Sequence, residues 1–378
     1  MELSGTELTA LVERVFAPRE GERRVGIMVD LPDAALPDTP RWRERRAMAA
    51  GWVRRLRDAG RFEASLIAYR NARSNNGPLP ESGWLVDPGT LPGTADELPE
   101  SAAVPMEALL GAHPVVLAPT ELSATAPLKL LAPRLGIRAA TMPGFSAEMI
   151  PALRLDYGEI ARRVGIMKGL LDAGETAVLE TSSPFGEHTL VLDLRNRSAH
   201  ASGGVFPEPG TAGNLPSGEA YIVPWEGGEP AGPSRTAGEL PVEQDGETIL
   251  YRIEGNRIAA VEGDGAFADA ERALVAAEPA YANVAELGLG VLSDFGLAPI
   301  GEILLDEKLG LHVAFGRSDH FGGSVGPANF SEPSRAIHLD RVYLPELQPD
   351  VRVRRLALDS PGGTVELMRE GAWVPGLW

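Results

Sequence analysis

The chain has 378 residues, no cysteine and a formal charge of −18, with a pI near 4.9. So acidic a composition argues against nucleic acid or anionic membrane as a partner, because both require basic patches. Without thiols there is neither a disulfide framework nor a thiolate site, so any metal must be held by His, Asp, Glu or water.

The length suggests two domains. The N-terminus, Met1–Phe16, has an acidic amphipathic pattern and lacks the basic start and apolar run of a signal peptide. No apolar stretch approaches the roughly 20 residues of a membrane helix. The default expectation is a cytoplasmic protein.

Taken in order, Thr6–Phe16 reads as a helix and Arg24–Val29 as a buried strand. Trp42–Ala59 is helical, Ala64–Tyr69 is a second strand and Val115–Ala118 a third. Leu128–Leu135 is helical, and Gly136–Met142 is a fourth strand. This alternation predicts an α/β domain, doubly wound or similar. It contains neither G-x-G-x-x-G nor a phosphate-binding loop. A helix-rich link, Ala147–Ala173, follows, and then the hydrophobic period changes to two. The strands expected there are Thr176–Glu180, Thr189–Leu194, Glu219–Val223, Thr248–Ile253, Arg257–Val261, Val284–Leu292, Leu311–Phe315, Ile337–Val342 and Val365–Glu370. One helix, Ala266–Ala277, interrupts them. The overall expectation is an α/β protein: an N-terminal α/β domain, 1–155, followed by a strand-dominated α+β metal-binding domain, 156–378. Glycine and proline cluster in Leu79–Pro105 and Trp225–Gly246, which read as ordered or semi-ordered loops.

The segment Asp306–Asp340 carries three of the six histidines: His312, His320 and His338. Residues i and i+2 of a strand share a face. His338 and Asp340 therefore project together from Ile337–Asp340, as half of a metal site. His312 lies in the apolar run Leu311–Phe315, where a satisfied core histidine is the commoner explanation. Glu286 sits in Val284–Gly290, an otherwise apolar run. A buried carboxylate must be paired, protonated or metal-bound, and a salt bridge to an arginine is the plain alternative. Glu219 opens a strand after the turn Asn214–Gly218, where a solvated strand-end carboxylate is the simpler reading. Asp319 and His320 precede Gly322-Gly323, as an ordinary polar turn would. His113, His188 and His200 show no partner pattern. There is no G-x-S-x-G and no H-E-x-x-H.

Together these segments resemble the thermophilic metallo-aminopeptidases of the aminopeptidase T and aminopeptidase S type. Asn214–Glu219 (NLPSGE) is similar to that family's N-x-P-x-G-E segment, and Ala285–Gly290 (AELGLG) to its A-E-x-x-x-G segment. Glu307-Lys308 with Leu309–Gly316 resembles its E-K-x-x-G-x-x-H-x-A-x-G segment, and Ile337–Asp340 its H-x-D ending. The likeness is dense over 186–342 and thin before that. It implies a two-metal centre of zinc, cobalt or manganese, with Glu219, Glu286, His312, His338 and Asp340 as ligands and Glu286 bridging. It also implies a small peptide substrate and a homodimer. The family places a Tyr seven residues after the matched His, where this chain has Asp319 followed by His320. Those two residues are the candidates to replace it, as catalytic donor, proton carrier or substrate anchor. Two further readings keep the fold. Dihydroxypyridine ring-cleaving dioxygenases resemble these peptidases and hold one Fe(II), for which His312, His338 and Asp340 would form a facial triad. A non-catalytic small-molecule binder is the other.

Overall fold

The computed structural model describes residues 2–378, which divide into two compact units. The first comprises Met1–Ala161 with Gly204–Ser217, and the second Arg162–Gly203 with Gly218–Trp378. Thus a stretch expected in the second domain on a cut at 155/156 belongs to the first unit. The reason is pairing: Thr211–Asn214 adds a parallel strand beside Arg138–Thr141.

The first unit is a doubly wound sheet. Its strands are β1 (Arg24–Leu31), β2 (Glu63–Arg70), β3 (Ser82–Val86), β4 (Val104–Pro105), β5 (Val115–Ala118), β6 (Arg138–Thr141) and the returning β10 (Thr211–Asn214). The order is β10-β6-β5-β1-β2-β3-β4, parallel from β10 to β2 and antiparallel beyond it. Strand β1 is buried from Val25 to Leu31, as expected of a strand covered on both faces. Helix α1 (Gly5–Phe16) starts on a capping box: Ser4 Oγ accepts from Glu7 N, and the Glu7 carboxylate accepts from Ser4 N. Helix α2 (Pro40–Ala59) begins with Thr39 as its cap and ends at the left-handed Gly60. Short helices α3 (Met106–Gly111), α4 (Thr125–Leu135) and α5 (Ile150–Leu153) complete the cover, and α6 (Tyr157–Ala173) carries the chain onward.

The second unit is strand-dominated, as the period-two pattern predicts. One antiparallel sheet joins β7 (Thr176–Ser183), β8 (Gly186–Asp193), β12 (Ala237–Gln244), β13 (Glu247–Glu254), β14 (Arg257–Glu262), β18 (Arg352–Ser360), β19 (Gly363–Arg369) and β20 (Ala372–Trp373). Strand β12 runs through a Pro- and Gly-rich stretch expected to be loop, because it pairs with β13 along its whole length. A second antiparallel sheet has the order β17-β16-β15-β11-β9, from β9 (His200–Ser202), β11 (Glu219–Ile222), β15 (Val284–Gly290), β16 (Leu311–Gly316) and β17 (His338–Val342). Helices α7 (Ala266–Ala277) and α8 (Ile303–Asp306) flank these strands in sequence. Among the described residues, no helix is long and apolar enough to cross a membrane.

Candidate metal centre

The register of the second sheet assembles the site. Residues directly opposite each other on neighbouring strands share a face. Glu286 stands opposite Ala314, and Ala314 opposite Asp340. Gly288 stands opposite His312, Gly316 opposite His338, and Glu219 opposite Gly290. One face of β11, β15, β16 and β17 therefore gathers three carboxylates and two imidazoles. A register irregularity between Val284 and Glu286 brings Glu286 into the row of Ala314 and Asp340.

The small residues of the A-E-L-G-L-G run make the space. A Cβ added at Gly288 would lie 1.8 Å from His312 Nε2, and one added at Gly290 would lie 2.3 Å from the Lys308 carbonyl carbon. Glu286, Gly288 and Gly290 alternate along one face. They present a carboxylate, then room for an imidazole, then room for the Glu307-Lys308 backbone.

Glu286 offers one oxygen to each imidazole. Oε1 lies 3.3 Å from His312 Nε2 and Oε2 lies 3.4 Å from His338 Nε2. Asp340 Oδ1 is 3.5 Å from His338 Nε2, and Glu219 Oε2 is 3.6 Å from His312 Nε2. His338 Nδ1–H donates to the Arg317 carbonyl at 2.7 Å, which turns Nε2 toward the carboxylates. The ligand-capable atoms form two groups: Glu219, Glu307 and His312, and separately Glu286, His338 and Asp340. Among the described residues, no such group unites His312 with both His338 and Asp340.

The five residues expected from the sequence as ligands lie on this one face, divided between the two groups. The sequence reading misses the roles of Glu307 and Lys308, although it quotes both in a motif. Lys308 is fully buried and donates to Glu219 and to Glu307. It also passes over Tyr221, opposite Gly288 on the same face, which Glu219-x-Tyr221 at period two would have indicated. His200, set aside as ordinary, stacks on Tyr221 with ring centroids 5.2 Å apart.

Electrostatics follow from crowding charge in a buried place. Burial works against ionisation of Glu286, but hydrogen bonds and charge from His312 and His338 drive its pKa far down. Burial also opposes a charge on His312, yet Glu286, Asp340 and Glu219 push its pKa up to about 9. His338 is raised well above the ordinary value by Asp340 and Glu286, against the penalty of burial. Burial lifts Glu307 to about 8, aided by Glu219 and Asp340 and opposed by Lys308. Lys308 stays above the usual lysine range because Glu219 and Glu307 outweigh its burial.

The residues fit a divalent cation. Four carboxylates and two imidazoles are gathered there, Lys308 pairs with only two of the carboxylates, and Glu219 Oε2 is buried without a hydrogen-bond partner. Hard oxygen with imidazole nitrogen suits zinc, cobalt, manganese or iron(II).

The loop after β16 carries Asp319 and His320. The His320 ring stands edge-on to His338, with centroids 5.3 Å apart. Burial and the charges of His338 and Arg317 lower its pKa to about 3, which leaves it neutral near pH 7. Asp319 accepts from Arg317 Nε at 2.6 Å and lies 3.6 Å from His320 Nδ1, too far to orient that ring by a hydrogen bond. The loop is tied down by Glu226, which accepts from Ser318 Oγ, Ser324 N, Ser324 Oγ, Asn283 Nδ2 and Arg197 Nη2.

No family model matches this sequence, and no curated protein matches it significantly. Among solved structures, the chain is similar to a 2,5-dihydroxypyridine dioxygenase from Pseudomonas putida. The TM-score is 0.60 at 17% identity, over 99% of this chain and 98% of that one. It is also similar to wild-type AmpT from Thermus thermophilus, with a TM-score of 0.56 at 16% identity over 98% and 99% of the two chains. At these identities the likeness establishes a shared mixed α/β fold along the whole chain.

Proposed function

We propose that this chain is a metal-dependent aminopeptidase that removes N-terminal residues from short peptides, using two divalent ions. The observation that carries this is Glu286, whose two oxygens each face a different imidazole, within ligand atoms that fall into two groups. The segments resembling aminopeptidases T and S and the fold shared with AmpT support the same reading. Glu219 and His312 would hold one ion, His338 and Asp340 the other, and Glu286 both. When bound, such ions polarise a peptide carbonyl and lower the pKa of a water molecule.

The chain's own groups then divide the proton work. Glu307 sits beside Glu219 and His312 and, once a bound cation has displaced the proton that burial leaves on it, can take one from the attacking water and return it to the leaving amine. Lys308 holds Glu307 in place and balances its charge. His320, neutral and beside His338, donates to the developing oxyanion. Asp319, held by Arg317, offers its carboxylate to a substrate ammonium. The active form in this reading is a homodimer, and a monomeric mass by light scattering would count against that.

A second reading has one observation in its favour. The fold is shared with a dihydroxypyridine dioxygenase, and a mono-iron(II) site in this chain would draw on His312, His338 and Asp340. The test is elemental mass spectrometry on protein purified without chelator, followed by aminoacyl-anilide and dihydroxypyridine assays. Two zinc-like ions per chain with anilide hydrolysis supports the peptidase. One iron with oxygen-dependent ring cleavage supports the dioxygenase. No metal and no turnover leaves a binding protein.

A further inference from the structure

Lys308 makes the two halves of the candidate centre unequal. Its side chain is fully buried, and its ammonium donates to Glu219 Oε1 and to Glu307 Oε1. One oxygen of each carboxylate is thereby occupied, and one positive charge is fixed beside the Glu219 and His312 half. Glu219 Oε2 remains, buried and without a hydrogen-bond partner, 3.6 Å from His312 Nε2. The other half holds Glu286, His338 and Asp340. Among the described residues, neither carboxylate there pairs with a lysine or arginine; their partners are the two imidazoles. Arg341, next in sequence to Asp340, pairs instead with Glu271, Tyr251 and Tyr281, as expected for the opposite face of β17.

We infer that Lys308 grades the centre: the Glu286, His338 and Asp340 half takes a divalent cation first and tightly, and the Glu219 and His312 half takes one second and more weakly. This rests on the two-ion reading above and adds an order of filling and the residue that sets it. Elementary electrostatics gives the direction. A fixed unit charge a few ångströms from an incoming divalent ion repels it, and in a buried setting solvent and salt screen that repulsion poorly. Lys308 also occupies Glu219 Oε1, which leaves a cation only the other oxygen of that carboxylate. The arrangement keeps the weaker half from collapsing, since without an ammonium or a second ion two buried carboxylates would face each other unbalanced.

The experiment is titration of chelator-treated full-length protein with Mn²⁺, followed by calorimetry and by electron paramagnetic resonance of free and bound ion. Wild type is expected to bind two ions in steps separated by roughly tenfold or more in affinity. Asp340→Ala is expected to abolish the tight step and keep the weak one. Lys308→Met is expected to tighten the weak step by about tenfold or more and leave the tight one nearly unmoved. Because Lys308→Met leaves two buried carboxylates without their partner, Lys308→Gln is measured beside it, and Lys308→Arg, which keeps the charge, is expected to preserve the gap. Two ions of equal affinity in wild type would overturn the grading and leave the two-ion reading intact. An unchanged gap in both Lys308→Met and Lys308→Gln would overturn the role of Lys308. A single ion at saturation, or none, would sink the two-ion reading itself and this inference with it.

Discussion

Gly288→Ala is the most direct probe of the candidate centre, because it touches no ligand chemically. The backbone there is ordinary strand, so an alanine meets no dihedral penalty, and its effect is steric. The added Cβ would fall 1.8 Å from His312 Nε2, 2.2 Å from Cε1 and 2.5 Å from Cδ2. An unstrained carbon contact needs about 3.5–4 Å, so the imidazole must retreat by roughly 2 Å. His312 is completely buried, with no solvent to retreat into. Overfilling such a place costs about 1–3 kcal/mol. The retreat also removes Nε2 from Glu286 Oε1, now 3.3 Å away, and from any ion held between them, since zinc–nitrogen bonds are only about 2.0–2.1 Å long. The expected outcome is a folded protein with a lowered thermal midpoint, at least one metal equivalent lost and activity abolished. Elemental analysis with a thermal melt in the same buffer checks it. Wild-type metal content and turnover in Gly288→Ala would refute the placement of His312 in the centre.

Glu286→Gln should abolish turnover and release at least one ion, because an amide cannot offer a charged oxygen to both imidazole-bearing halves; full occupancy by elemental analysis would count against bridging. His338→Ala and Asp340→Ala should each lose metal, whereas Leu339→Ala should mainly cost stability through lost apolar contact. Equal metal loss in all three would point to local unfolding. His320→Ala should lower kcat by about 10²-fold with metal retained, as expected for one proton-donating group, and near wild-type kinetics would reduce the loop to a turn.

Much of this was legible in the sequence, for identifiable reasons. The H-x-D pair was readable because period two is a hard consequence of strand geometry, and Ile337–Val342 carries it clearly. Helix Ala266–Ala277 was readable to its last residue because an alanine-rich run lies between Gly265 and Pro279, although the side chains it buries include Glu271. Other features depend on pairings that no local pattern encodes. Thr211–Asn214 returns to the first sheet through a partner some seventy positions earlier. Ala237–Gln244 is a strand despite Pro241, because two neighbours supply its ladder. Lys308 escaped notice because a lysine is normally solvated; only the fold reveals that Glu219, 89 positions away, is its partner. Asp319 reads plausibly as an orienter of His320, but Arg317, two residues back, takes its carboxylate instead.

Protonation and metal uptake at this site are one linked equilibrium, and the sign can be worked out. With chelator present, His312 has a folded pKa raised to about 9 and His338 one raised well above the ordinary value. A histidine raised in this way contributes stability that is full below its unfolded value of about 6.5 and lost as pH climbs through the folded one. Glu307, raised by burial to about 8, acts in the same sense, since its folded form holds a proton that the unfolded chain has released by neutral pH. Glu286 and Asp340 are shifted downward, so their contributions are already complete by pH 7 and do not change above it. His320 and His113 are lowered, and the cost of keeping them neutral fades above their ordinary value. Between pH 7 and about 9, then, the shifted groups of the centre all pull one way, and the chelated protein should lose stability as pH rises. A bound cation takes the place of those protons, and alkali then favours its binding because fewer protons compete for the ligands. The measurement is the thermal midpoint from pH 7 to 9, with and without divalent ion. The gap between the two curves should widen toward pH 9, and a gap that stays constant or narrows would mean that the imidazoles and the cation do not share one site.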